Sequence, residues 1–208
     1  MSLKLNGSTS GFTELDAPAV AGSNTITLPT SNGSANQYLK NGSTAGSLEF
    51  ADLPTLGFTS SGTTNTTSGS SHTVTGLSTS ANLHVISLSG VSTTATTPHV
   101  LFQIGNGSLS SSGYQWNVFY EGDDQGGSSQ STVRLTHTAF SNAGNTYSGI
   151  LFICCSSGDS VTGTWNLTTS GSLGMVGAFR WTGGTSIDRF SLQSSGTFDS
   201  GSFKIHSR

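Results

Sequence analysis

Apolar and polar residues alternate with a period of two through most of the chain after residue 80. Tyr114, Trp116, Val118 and Tyr120 share one side of such a stretch. Val161, Gly163, Trp165 and Leu167 share a second, and Val100, Phe102 and Ile104 a third. One apolar and one polar face describes a half-buried antiparallel strand. Strands are predicted at 83–89, 99–104, 114–121, 132–138, 150–155, 161–168, 175–181, 188–193 and 198–206, separated by Gly- and Ser-rich turns. The stretch 150–155, ILFICC, departs from the pattern because it is apolar on both faces. It predicts either a central strand or a strand whose second side is covered by a neighbouring subunit. No stretch carries a helical period. About nine short strands without helices imply an all-β fold, an antiparallel β-sandwich of jelly-roll type.

The first quarter reads differently. Residues 6–29, NGSTSGFTELDAPAVAGSNTITLP, and 30–54, TSNGSANQYLKNGSTAGSLEFADLP, have few large apolar residues and frequent Gly, Asn, Pro or Ser. Short strands are expected at 25–28, 37–39 and 47–50, with turns at Asn32-Gly33 and Asn41-Gly42. So little apolar surface does not offset roughly 1 to 2 kcal/mol of backbone entropy per residue. Residues 1–57 are therefore expected to order only in an oligomer or on a larger particle. Residues 58–72, FTSSGTTNTTSGSSH, have the composition of a flexible linker with a reach on the order of 20 Å. The sandwich is expected over 73–208.

Composition narrows the function. Only 8% of residues are charged, against roughly 25% in ordinary globular proteins. Ser, Thr and Gly make up nearly half of the chain, so hydroxyls and amides carry its solubility. The 11 Phe and 3 Trp argue against disorder. With a formal net charge of -3 and only Lys4 and Lys40 basic before Arg134, the electrostatic footprint of a nucleic-acid binder is missing. No apolar run approaches the ~18 residues of a membrane helix, and no charged start precedes an apolar core, so neither membrane insertion nor a secretory signal is expected. Cys154 and Cys155 are neighbours in a strand and point to opposite faces, which predicts free thiols.

Few residues suggest chemistry. The five His, at 72, 84, 99, 137 and 206, fall in no recognisable motif, and with Ser so abundant a Ser/His pairing carries little information. Of the ten carboxylates, Glu121, Asp123 and Asp124 cluster in EGDDQGG directly after a strand. Three close acids could hold Ca²⁺, whereas the favoured reading is a solvated turn; the cluster is also the best candidate for an exposed ligand contact. Trp116, Trp165 and Trp181 could stack on sugar rings, but their alternation with other apolar residues favours core packing. Arg180 and Arg189 lie within strand patterns, where an ion pair with Asp188 or Asp199, or a subunit interface, would account for them. No catalytic residue, metal or organic cofactor is expected.

The N-terminal segment resembles the attachment segments of tail-fibre and other structural proteins of double-stranded DNA bacteriophages, marine ones especially. The resemblance rests on Gly7 to Gly11, Glu14 to Gly22, Asn24 to Pro29 and Gln37 to Leu39. It implies a virion-anchoring role for Gly7, Gly11, Glu14, Asp16, Pro18, Gly22 and Pro29. More loosely, ISLSGV at 86–91, FQIGNG at 102–107, SGY at 112–114 and TFDSGSFKI at 197–205 resemble the jelly-roll or concanavalin-like modules that end many phage fibres. The resemblance implies a non-enzymatic virion component, a fibre, knob or decoration appendage. It would be a homotrimer made in the host cytoplasm and in contact with other capsid or tail proteins. The alternative is a lectin-like module recognising host surface glycan.

Overall fold

The computed structural model describes residues 3–6, 8–15, 22–23, 25–53, 57–96, 99–140, 144–155, 158–170 and 174–208. The chain divides into two compact units, Met1–Leu56 and Gly57–Arg208.

The first unit holds two separate hairpins. β1 (Leu3–Asn6) pairs with β2 (Phe12–Leu15), and β3 (Gln37–Asn41) with β4 (Leu48–Asp52). The second hairpin is held by polar contacts. Lys40 Nζ lies 2.7 Å from Glu49 Oε1, Gln37 Nε2 donates to Asp52 Oδ1 at 2.8 Å, and Gly42 N donates to Ser47 O at 2.8 Å. The expected strand at 25–28 is reduced to a single parallel bridge, Thr27 to Ser47. Among the described residues of this unit no apolar side chain is buried, and Leu5, Phe12, Ile26, Leu28, Leu39 and Leu53 are exposed. Hydrogen bonds and the Lys40–Glu49 ion pair give the described residues their local shape, without a buried apolar core among them.

The second unit is the expected all-β sandwich. Its strands are β5 (Thr59–Asn65), β6 (Ser71–Thr75), β7 (Leu83–Thr93), β8 (Val100–Asn106), β9 (Ser108–Leu109), β10 (Tyr114–Tyr120), β11 (Asp123–Gln130), β12 (Val133–Arg134), β13 (Tyr147–Cys155), β14 (Val161–Thr169), β15 (Gly174–Trp181), β16 (Arg189–Ser194) and β17 (Phe198–Ser207). One sheet has the order β11-β10-β15-β14-β13-β7-β17-β5, the other β12-β8-β16-β6, with β9 paired to β8. All of these pairings are antiparallel.

The alternation read from the sequence is the alternation of burial. Along β14 every other residue from Val161 to Thr169 is buried, and β15 repeats the pattern. The inner faces meet in an aromatic cluster. Phe102 of β8 stands edge-on to Phe179 of β15 at 5.0 Å and stacks on Phe190 at 5.5 Å, while Phe190 meets Phe203 of β17 at 5.7 Å. Polar ties cross the same gap. The Tyr114 hydroxyl donates to Ile104 O and accepts from Ile104 N, both at 2.9 Å. Trp165 Nε1 donates to Leu135 O at 3.0 Å. Burial pushes the Tyr114 hydroxyl up to about 12.

Two aromatic rings fill gaps that only glycine leaves. On the directly paired strands β14 and β15, Gly163 stands opposite Phe179 and Trp165 opposite Gly177. A methyl group on Gly163 would run into the Phe179 ring, and one on Gly177 into the Trp165 indole.

The expected linker at 58–72 is not one. It carries β5 and the start of β6, which pair with β17 and β16. The crossing between the sheets is itself fastened: Thr66 N donates to Gly201 O at 2.9 Å, Phe198 N to Gly69 O at 2.7 Å, and Thr66 Oγ1 to Ser200 O at 2.8 Å. A Ser/Thr/Gly composition permits coil, but it also permits an edge strand whose neighbour supplies the apolar face. The predicted strand at 132–138 shrinks to β12, followed by a 3-10 turn at Thr138–Phe140.

Candidate interaction surface

The acidic cluster sits at the tip of the β10–β11 hairpin. Glu121 (φ 44) and Gly122 (φ 87) form the two-residue turn, since paired positive φ values suit the twist of a tight hairpin. The sequence predicted a turn at Asp123 and Asp124, but they are the first two positions of β11. Strand alternation therefore separates them. Asp123 Oδ2 lies 3.3 Å from His137 Nε2, whose Nδ1 accepts from Ala139 N at 3.1 Å. Asp124 pairs with Phe119 on the opposite face. The three carboxylates do not converge, and among the described residues no group of three metal-ligating side chains exists.

The tryptophans are core residues, with Trp116, Trp165 and Trp181 all buried. Trp116 additionally carries the Arg134 guanidinium 4.9 Å above its ring. Arg189 pairs with its neighbour Asp188 through two hydrogen bonds, at 2.7 and 2.9 Å, and this pairing holds the Asp188 carboxyl below the usual range. Asp199 instead accepts from Ser92 Oγ. Arg180 is exposed, its Nε donating to Ser160 Oγ at 3.2 Å. Cys154 is exposed and Cys155 buried, both free, and burial pushes the Cys155 thiol up to about 11.

Of the residues tied to anchoring by resemblance, Gly7, Asp16 and Pro18 lie outside the described residues. Glu14 pairs with Lys4 through the backbone of β2. Gly11 and Gly22 adopt positive φ. Pro29 lines an open groove of about 590 Å³ with Leu28, Asn32, Gln37 and Phe50.

One Ser/His contact does form inside the sandwich. His84 Nδ1 and Ser207 Oγ are 2.7 Å apart, and both residues are buried. The other ring nitrogen, His84 Nε2, has no hydrogen-bond partner. A nucleophile–base pair needs a third group to orient the base, and none is present here. Burial lowers the His84 pKa to about 4, so the ring is a neutral part of the core.

The surface that stands out is the outer face of the eight-stranded sheet. Register aligns its side chains in rows across the strands. One row runs Asp124, Phe119, Val176, Asn166, Ile150, Ser87, Lys204. The next runs Gly126, Asn117, Ala178, Thr164, Phe152, Val85, His206. Phe119, Val176, Ile150 and Phe152 are each between 42% and 48% exposed, a solvated aliphatic and aromatic patch on a sandwich otherwise coated mainly with hydroxyls. The sequence signal for it was the doubly apolar stretch 150–155. Phe119, between Val118 and Tyr120, and Val176, beside Met175, carried a shorter version of the same signal, an apolar residue on each face, which only the register brings together. No family model, no curated protein and no solved structure matches the chain.

Proposed function

We propose that the chain is a non-enzymatic structural component of a bacteriophage virion, a fibre, knob or decoration appendage held by its first unit and displaying the sandwich. The observation that carries this reading is the contrast between the units. The described residues of Met1–Leu56 bury no apolar side chain and leave Phe12, Ile26, Leu28 and Leu53 in solvent, whereas Gly57–Arg208 closes its own core. An arm with unspent apolar side chains and unpaired strand edges suits docking onto other capsid or tail proteins. The scattered carboxylates and the unoriented Ser207–His84 pair support a non-catalytic role. Mass spectrometry of purified virions should find the full chain, and a variant lacking residues 1–56 should fold but fail to enter particles. Absence of the chain from virions, or incorporation without residues 1–56, would sink the proposal.

A lectin-like role remains the second reading, favoured by the exposed Glu121, Asp123 and Asp124 at one end of the sandwich. Loops and hairpin tips are where sandwiches carry recognition. Binding on a glycan array that disappears when all three acids become Ala would establish it.

A further inference from the structure

We infer that the outer face of the eight-stranded sheet is covered by the same face of a second copy of this chain, related by a two-fold axis running along β14. The argument starts from the order of strands. On this face β14 lies midway between β11 and β17. A two-fold axis along β14 exchanges the strands on either side and keeps each row facing itself. In the first row Asn166 then meets Asn166 of the copy, Val176 meets Ile150, and Asp124 meets Lys204. In the second row Thr164 meets Thr164, and Phe152, a large ring, meets Ala178, a small side chain. These pairings are apolar on apolar, amide on amide, hydroxyl on hydroxyl or acid on base; the same axis sets Phe119 over Ser87, Asn117 over Val85 and Gly126 over His206, where the match is mixed.

The charges are the decisive part. From β11 to β17 the first row holds two ionisable groups, Asp124 at one end and Lys204 at the other, with Thr63 of β5 beyond Lys204. None of the ion pairs among the described residues uses either side chain. Six strand spacings separate them, roughly 29 Å, far too distant to interact within one chain. A two-fold partner brings the two opposites together twice, once at each end. An axis along β14 sets the two central strands parallel, within the range in which face-to-face sheets pack, and the long Lys204 stem reaches across the roughly 10 Å between them. Arg180 and Cys154 fall in a third row, at the rim. The area fits a modest interface: about 29 Å by 17 Å gives on the order of 1,000 Å² over both copies, near the lower bound for specific association. A trimer of the kind the fibre resemblance implies would need a different contact, since a two-fold face is satisfied by two copies.

Sedimentation equilibrium of the full chain, from about 10 to 500 µM at low salt, tests this. The expected result is a concentration-dependent particle of two chains. Ile150→Glu or Val176→Glu should weaken association at least tenfold while the near-ultraviolet signal of the buried tryptophans stays unchanged, because both positions are solvent-facing. Asp124→Lys and Lys204→Glu should each weaken it severalfold, and the double reversal should recover most of the loss. A one-chain or three-chain particle across the range overturns the inference. So does a dimer indifferent to Ile150→Glu and Val176→Glu, or a double reversal no tighter than the single variants. Because this assay needs no virion, its failure leaves the proposal of a virion component standing, and the reverse also holds.

Discussion

The two outward faces of the sandwich are built to opposite specifications. On the smaller sheet, side chains satisfy one another. Gln193 Nε2 donates to Gln103 Oε1 at 2.6 Å, Gln103 Nε2 to Ser131 O at 2.9 Å, and Ser191 Oγ bonds both Ser71 and Thr73 at 3.0 Å. On the larger sheet, Phe119, Val176, Ile150 and Phe152 point outward with nothing over them. The first face is finished as it stands, a hydroxyl and amide mesh that needs only water. The second holds the apolar side chains that a protein with so few charges can least afford to leave wet. The difference teaches that low charge does not make a surface uniform: local hydrogen-bond closure separates a face for solvent from a face for contact.

Both faces depend on the shared interior, so the largest effect comes from removing it. Phe102→Ala deletes the ring that touches Phe179 on one sheet and Phe190 on the other, and should cost about 3–5 kcal/mol by denaturant titration. A loss below about 1 kcal/mol would mean the sheets are not held by this cluster.

Acid should loosen both faces together. The folded His84 pKa, about 4, lies below its ordinary 6.5, so the unfolded chain takes up the proton first. The contribution is full above pH 6.5 and disappears as pH falls toward 4, a loss of roughly 3 kcal/mol at about 1.36 kcal/mol per pKa unit. Thermal melts between pH 7 and 4 should show this slope, and His84→Leu should flatten it. An unchanged slope in that variant would place the titration elsewhere.

A smaller effect separates the faces. Ser191→Ala, which leaves Ser71 and Thr73 short of a partner in the mesh, should lower stability by about 1 kcal/mol. Ile150→Thr on the opposite face should stay within about 0.5 kcal/mol for the single chain. If the order were reversed, the finished and unfinished faces would have been assigned the wrong way round.

The gentlest probe reads one strand from both sides. In the folded protein a maleimide should label one thiol per chain, the exposed Cys154, and reach the buried Cys155 only on unfolding. Two labels under native conditions would mean that β13 does not hold its inner face shut.

What the sequence revealed follows the same division between inside and outside. Every strand with an alternating apolar side, such as β8, β10, β14 and β15, was legible from its pattern, because packing against the other sheet requires that pattern. In the sandwich, the strands that were missed or truncated include the four that end the sheet orders, β5, β6, β11 and β12, together with the two-residue β9. An edge strand needs only a neighbour's backbone on one side, so DDQGGSSQ and TSSGTTN form strands without an apolar signature. The acidic cluster was visible as composition. Its splitting onto two faces was not, because that depended on whether Asp123 began a strand or ended a turn. The outer apolar face was half legible, since register, which composes it from β10, β13 and β15, is a property of pairs of strands rather than of any one stretch.

The reciprocal exchange of glycine and ring between β14 and β15 also works as a proofreading device during assembly. A slip by two residues would leave every side chain on its proper face, so hydrophobic alternation alone does not reject it. In one direction, however, Trp165 would land opposite Phe179 and two large rings would compete for one gap. In the other, Gly163 would land opposite Gly177 and leave a hollow beneath the central strands. Only the observed alignment gives each ring an empty neighbour, so a sheet made largely of interchangeable Thr, Ser and Gly still has one way to close.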